Sequence, residues 1–210
     1  MNISKILKLA NVYYSLASKH VSGKFLRVFD FDHVLAVSRG LPWVINNETG
    51  EEYRLFKDNP LLPDSFTWKF NDKRNYWVID QMPPGFQLDW REFNDMIVDG
   101  KPIDKYFNIF KGIFENSPNE TIILTSRGNP QTIKDFLKEN GLDFPIDQIY
   151  TIASPNAEDK SWVINSLMED YGFRNVKFWD DSKDNIQAVN LLQDIWGDKA
   201  NIETVLVQKK

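Results

Sequence analysis

From Thr121 onward the chain alternates short apolar runs with amphipathic stretches, and this alternation constrains the fold more than any other feature. Thr121–Thr125 reads TIILT, a buried strand. Asn129-Pro130 then opens a helix, with an N-cap side chain followed by Pro at the first helical position, that ends before Gly141. Residues 148–152 form a weaker strand, and 158–171 a helix stopped by Gly172. Residues 176–179 read as a strand ending in Asp180-Asp181, 184–195 as a helix and 203–207 as a last strand. Upstream, Phe25-Leu26-Arg27-Val28-Phe29 is another apolar run ending at an acid, Asp30. Strands regularly separated by helices predict an α/β fold with a parallel sheet covered on both faces. Ligands of such sheets bind at the carboxyl ends of the strands.

Residues 34–119 interrupt this pattern. Runs at 43–45 and 52–56 flank Asn46-Asn47-Glu48-Thr49-Gly50, and runs at 66–70 and 76–79 flank Asn71-Asp72-Lys73-Arg74-Asn75. Both read as hairpins. Pro83-Pro84-Gly85 breaks the chain, 89–98 is compatible with a helix stopped at Gly100, and Ile103, Tyr106, Phe107, Phe110, Ile113 and Phe114 form a helical stripe. The expected division is an N-terminal amphipathic helix over 1–24, a core from 25–35 and 101–210, and an insertion at 36–100. Residues 1–29 hold five basic and no acidic side chains, so the rest of this −5 chain carries −10. That basic helix would pack on the domain or meet a partner of its own.

Composition narrows the chemistry. The 210 residues include no Cys and only His20 and His33. Thiolate nucleophiles, zinc–thiolate sites and multi-histidine metal sites are excluded. The polar residues expected on the carboxyl edge are Asp30 and Asp32 after the first strand, Thr125, Ser126 and Arg127 after the second, and Asp180 and Asp181 after the fourth. Lys160 opens the helix before that fourth strand, and Asn185 follows one turn after it. Several carboxylates meeting at one edge repel unless a cation joins them, and an all-oxygen set suits Mg²⁺. Asp30 would attack phosphorus, and Asp32 would serve as general acid and base. Asp30 and its neighbours would hold the metal, while Thr125 and Lys160 would hold the phosphoryl oxygens. Ser126 would contact phosphate or shape its loop. Arg127 would clamp a second substrate group or pair with Asp180. His33 would sit at the mouth, against substrate.

These motifs resemble those of the haloacid dehalogenase (HAD) superfamily of Mg²⁺-dependent phosphohydrolases. FDFDHVL is similar to its first motif, DxDx(T/V), TIILTSR to its second, Lys160 to its third and VKFWDDSKDN to its fourth. The resemblance covers 25–35 and 119–207 and departs at His33, where the family usually has Gly. It implies a Rossmann-like core with five parallel strands ordered 5-4-1-2-3 and a small cap inserted after the first strand. It also implies an aspartyl-phosphate on Asp30, acid/base work by Asp32, and metal held by Asp30, Asp181 and the Asp32 carbonyl with Asp180 in support. The LTSR and DD segments are further similar to the 3′-phosphatase domains of polynucleotide kinase-phosphatases. The expected substrate is therefore a phosphorylated small molecule, a nucleotide or a nucleic-acid end. Trp43, Trp68, Trp77 and Trp90 would stack a base or sugar, or pack the insertion itself.

Other classes make different demands. A HAD-like binding or scaffold protein would keep the fold without turnover. A metal nuclease would use Glu158-x-Lys160, which belongs on a strand, whereas here it precedes a helix. A receiver domain would place its lysine after the acidic pair rather than before it. No apolar run approaches a membrane span and no signal-peptide core is evident, so the expected location is the cytoplasm.

Overall fold

The computed structural model describes residues 25–38, 40–71 and 76–208. The N-terminal segment 1–24 and the turn residues Asp72, Lys73, Arg74 and Asn75 lie outside the described residues. Chain contacts divide the protein into two units, one running up to Ser38 and resuming at Asp99, the other Arg39–Val98.

In chain order, β1 (Phe25–Phe29) leads to the short β2 (Ala36–Val37). The second unit holds β3 (Trp43–Asn46), β4 (Glu52–Arg54), β5 (Thr67–Asn71), β6 (Tyr76–Gln81), β7 (Phe86–Asp89) and α1 (Arg91–Asp95). The first unit resumes with β8 (Lys101–Pro102), α2 (Asp104–Asn116), β9 (Thr121–Thr125), α3 (Pro130–Glu139) and β10 (Ile149–Thr151). It closes with α4 (Ala157–Tyr171), β11 (Asn175–Asp180), α5 (Lys183–Trp196) and β12 (Asn201–Leu206).

The first unit is built on a five-stranded parallel sheet ordered β10-β9-β1-β11-β12. β1 is central, which is why Leu26, Val28 and Phe29 are buried on its two faces. Leu26 and Val28 join Ile122, Leu124, Val176 and Phe178 beneath Val163, Ile164 and Leu167 of α4 and Val189 and Leu192 of α5. Phe29 points the other way. It stacks on Trp179 at 4.1 Å and meets Phe110 of α2 edge-on at 5.1 Å. Each such buried side chain contributes roughly 1.5–3 kcal/mol relative to exposure.

Local chemistry sets the helix ends. The Asn129 side chain accepts from the Gln131 N–H at 3.0 Å, and Pro130 occupies the first helical position. α4 stops at Gly172, whose φ of +72° ends the helix in a left-handed cap that a side chain would strain. The two-residue antiparallel pair β2–β8 ties the chain leaving the first unit to the chain returning.

In the second unit β3 pairs antiparallel with β4 and β7, and β5 pairs with β6. The 46–50 turn closes as its residues suggest, with the Asn46 side chain accepting from the Glu48 N–H at 2.9 Å and Gly50 at φ +74°. The unit has its own core of Val44, Leu55 and Phe66, with Tyr53, Trp68 and Phe86 packed around it. By chain contacts this unit runs Arg39–Val98. The helix expected over 89–98 is only five residues long, because Asp89 belongs to β7 and the chain turns extended at Met96. Among the described residues, no helix is long and apolar enough to cross a membrane.

Candidate functional site

Asp30, Thr125 and Asp180 reach the carboxyl edge at or just past a strand end. Asp30 follows β1, and its N–H donates to the Trp179 carbonyl at 2.9 Å, extending the ladder by one rung. That rung sets Asp30 beside Asp180, the last residue of β11. Lys160 lies in the first turn of α4, facing inward and 1% exposed. Its ammonium contacts Asp30 Oδ1 at 2.8 Å and Asp180 Oδ2 at 2.8 Å. Oxygens of Asp30, Asp180 and Asp181 all fall within 4.8 Å of one another.

Asp180 is held from several sides. Its Oδ1 accepts from the Ser182 N–H at 2.7 Å, and the Asn185 side-chain amide donates to Oδ1 at 3.1 Å and Oδ2 at 3.0 Å. With Lys160, these donors occupy most of the four lone-pair directions a carboxylate offers. Asp181 is only half-buried. Asn185 therefore buttresses Asp180 directly rather than merely opening α5.

Asp32 sits in a tight loop. The Phe31 carbonyl accepts from the N–H groups of Leu35 and Ala36, and His33 takes a left-handed conformation, φ +61°. An L-residue there stores about 1–2 kcal/mol, whereas Gly would not. The Asp32 carboxylate pairs with Arg127, whose side chain is completely buried. Arg127 Nε donates to Asp32 Oδ2 and Nη2 to Oδ1, both at 2.8 Å. Nη2 also donates to the Ser38 hydroxyl at 2.8 Å. The acid that the guanidinium grips here is Asp32, a partner the sequence did not suggest. Thr125 is fully buried, and its hydroxyl accepts from the Arg127 N–H at 3.3 Å. Ser126 is half-buried beside it. Ser38 carried no signal in the sequence, being a lone serine eight residues past the nucleophile candidate.

Electrostatics follow from this burial. Desolvation raises the Asp30 carboxyl well above the ordinary carboxylate range, and the Lys160 ammonium pulls in the opposite direction. The Asp180 and Asp32 carboxylates add to the rise. Burial would lower the Lys160 ammonium, but the attraction of Asp30 and Asp180 outweighs it and keeps the ammonium charged. Counted formally as ionised, the four carboxylates outnumber the Lys160 and Arg127 cations by two. A divalent cation matches that excess, and the all-oxygen donors of Asp30, Asp180 and Asp181 suit a hard one.

No family model, curated protein or solved structure matches this chain. The site must be read from its own geometry.

Glu158 is exposed, whereas Lys160, two residues later on the same helix, is buried. In the second unit, Trp43 donates its indole N–H to Glu92 at 2.8 Å, and Trp68 packs on the unit's core. Trp90 is about half exposed. Arg54 is paired with Glu92, and Lys69 with Asp80, so these cations are matched by acids of their own unit.

Proposed function

We propose that this protein is a Mg²⁺-dependent phosphomonoester hydrolase that works through Asp30. The observation that carries the reading is the buried cluster at the carboxyl edge, where one lysine bridges Asp30 and Asp180 beside Asp181. The sheet order, with β1 central and β9 and β11 on either side, agrees with the HAD-type arrangement that the motifs resemble.

Asp30 attacks phosphorus and forms an aspartyl-phosphate. Asp32 gives a proton to the leaving oxygen, then takes one from the water that cleaves the acyl phosphate and regenerates Asp30. Lys160, held charged between two carboxylates, stabilises negative charge growing on the phosphoryl oxygens. Thr125 supports the turn that carries Arg127. Asp30 and Asp181 would hold Mg²⁺, with Asp180 anchored beside them by Ser182 and Asn185. When bound, Mg²⁺ neutralises the surplus charge and polarises the phosphoryl group.

Nucleotides and nucleic-acid ends are the first substrates to test, since LTSR and DD resemble 3′-phosphatase motifs. A sequence pI near 5.1 disfavours long duplex contacts, but a terminal phosphate needs only a local pocket. The test is phosphate release from an aryl phosphate, a nucleotide panel and 3′- or 5′-phosphorylated oligonucleotides, with Mg²⁺ and with chelator. Mg²⁺-dependent release from at least one member supports the reading. Silence across the panel together with Mg²⁺ binding would favour a binding protein on the same scaffold.

A further inference from the structure

We propose that Arg127, assisted by Ser38, is a positioning residue that aims the Asp32 carboxylate at the leaving group. The inference rests on the phosphohydrolase reading above, in which Asp32 moves the proton.

Three observations carry it. First, a guanidinium with no exposed surface is costly to desolvate, and the fold spends that cost on a two-point grip of one carboxylate. A planar fork meeting a planar carboxylate at two points fixes both its position and its plane, which a single contact does not do. Second, the Ser38 hydroxyl lies between the partners. It accepts from Arg127 Nη2 at 2.8 Å and stands 3.3 Å from Asp32 Oδ1, to which it donates. Third, the Phe31 ring lies 5.6 Å from the guanidinium carbon, and Phe31 is itself pinned edge-on against Phe136 at 5.4 Å. The guanidinium is thus located by Phe31 as well as by its hydrogen bonds.

Asp32 needs this help because its own backbone gives little. It lies in a loop that turns through the left-handed His33, with one isolated bridge to Ala36 beside it. A carboxylate offers about four lone-pair directions, so with two contacts from Arg127 and one from Ser38 a direction remains for proton exchange. Misplacing a catalytic group by about 1 Å costs on the order of 10²-fold in rate.

The experiment compares two substrates with the full chain and Mg²⁺. One is p-nitrophenyl phosphate, whose leaving group departs without a proton. The other is an alkyl phosphate, glycerol phosphate, whose leaving alkoxide needs one. The proposal predicts that Arg127→Ala lowers kcat/KM, which reports the leaving-group step and not the dephosphorylation shared by both esters, about 10²-fold more for the alkyl ester than for the aryl ester. Arg127→Lys recovers little, because a point charge cannot replace the fork. Ser38→Ala gives a loss of about 2–10-fold with the same substrate preference. Equal kcat/KM losses on both esters, no loss on either, or faster turnover in Arg127→Ala would each overturn the proposal. Should Arg127→Ala fail to fold, Ser38→Ala carries the test, and an unaltered alkyl-to-aryl ratio in that variant refutes it. Asp32→Asn separates the two levels. If it shows the alkyl-specific defect while the Arg127 and Ser38 variants do not, only the positioning role falls. If it lacks that defect, the acid/base reading falls and the positioning role with it.

Discussion

Lys160→Met tests the charge balance of the cluster. Methionine nearly fills the volume of the lysine stem, so the perturbation is mainly loss of the ammonium that bridges Asp30 and Asp180 at 2.8 Å each. Both carboxylates are buried, and removing one partner of a buried ion pair costs about 3–5 kcal/mol. For a chain of 210 residues, each kcal/mol is worth about 2–4 °C of melting temperature, so the expected loss is about 6–20 °C in chelator at neutral pH. The pH dependence has a definite sign. Asp30 is already raised by burial, and Lys160 is the main influence pulling it down. Without Lys160 it rises further, so the folded state holds a proton that the unfolded chain releases. Stability of the variant then falls as pH rises from the ordinary carboxylate range through the folded value. Scanning calorimetry at pH 5 and pH 8 should show a smaller deficit at pH 5. Saturating Mg²⁺ at a hundredfold excess over its dissociation constant should return about 2.7 kcal/mol. A deficit below about 1 kcal/mol, or one indifferent to both pH and Mg²⁺, would refute the idea of an under-neutralised cluster.

Other expectations concern separate parts of the molecule. Asp181→Asn, which removes one charge from the clustered carboxylates, should weaken Mg²⁺ binding by about tenfold or more in titration calorimetry, equivalent to about 1.4 kcal/mol. Glu92, which accepts from Arg54 at 2.9 and 2.7 Å and from Trp43, is held down to about 2, chiefly by Arg54. Glu92→Gln should cost the second unit about 1–3 kcal/mol at neutral pH, discounted because Arg54 is partly exposed. Tryptophan-fluorescence denaturation should show the gap closing as pH falls from the ordinary glutamate range toward about 2. Phe29→Ala, which removes the stack on Trp179, should cost about 3–5 kcal/mol in urea unfolding.

The fold of the first unit was legible because its punctuation is chemical. Asn129-Pro130, Gly141 and Gly172 mark helix ends by mechanisms that act locally, and the strands between them are buried runs needing no longer-range information. Asp30, Asp180 and Lys160 were legible as a group because parallel strands deliver their ends to one edge. The partner of Arg127 was not. That contact joins residues 95 positions apart and depends on the 31–36 loop turning through a left-handed His33, which neither spacing nor periodicity encodes. Ser38 was invisible for the same reason. In the second unit β7 was obscured because its four residues follow the Pro83-Pro84-Gly85 break and form a strand only by pairing with the distant β3.

The nucleophile is the central claim, and it can be caught chemically. The protein is mixed with Mg²⁺ and its best substrate, quenched in acid within a turnover, digested and examined by mass spectrometry. The account predicts one phosphoryl group on the peptide carrying Asp30, absent from Asp30→Asn, which also releases no phosphate. Full phosphate release by Asp30→Asn, or a phosphoryl group on a different residue, would contradict it.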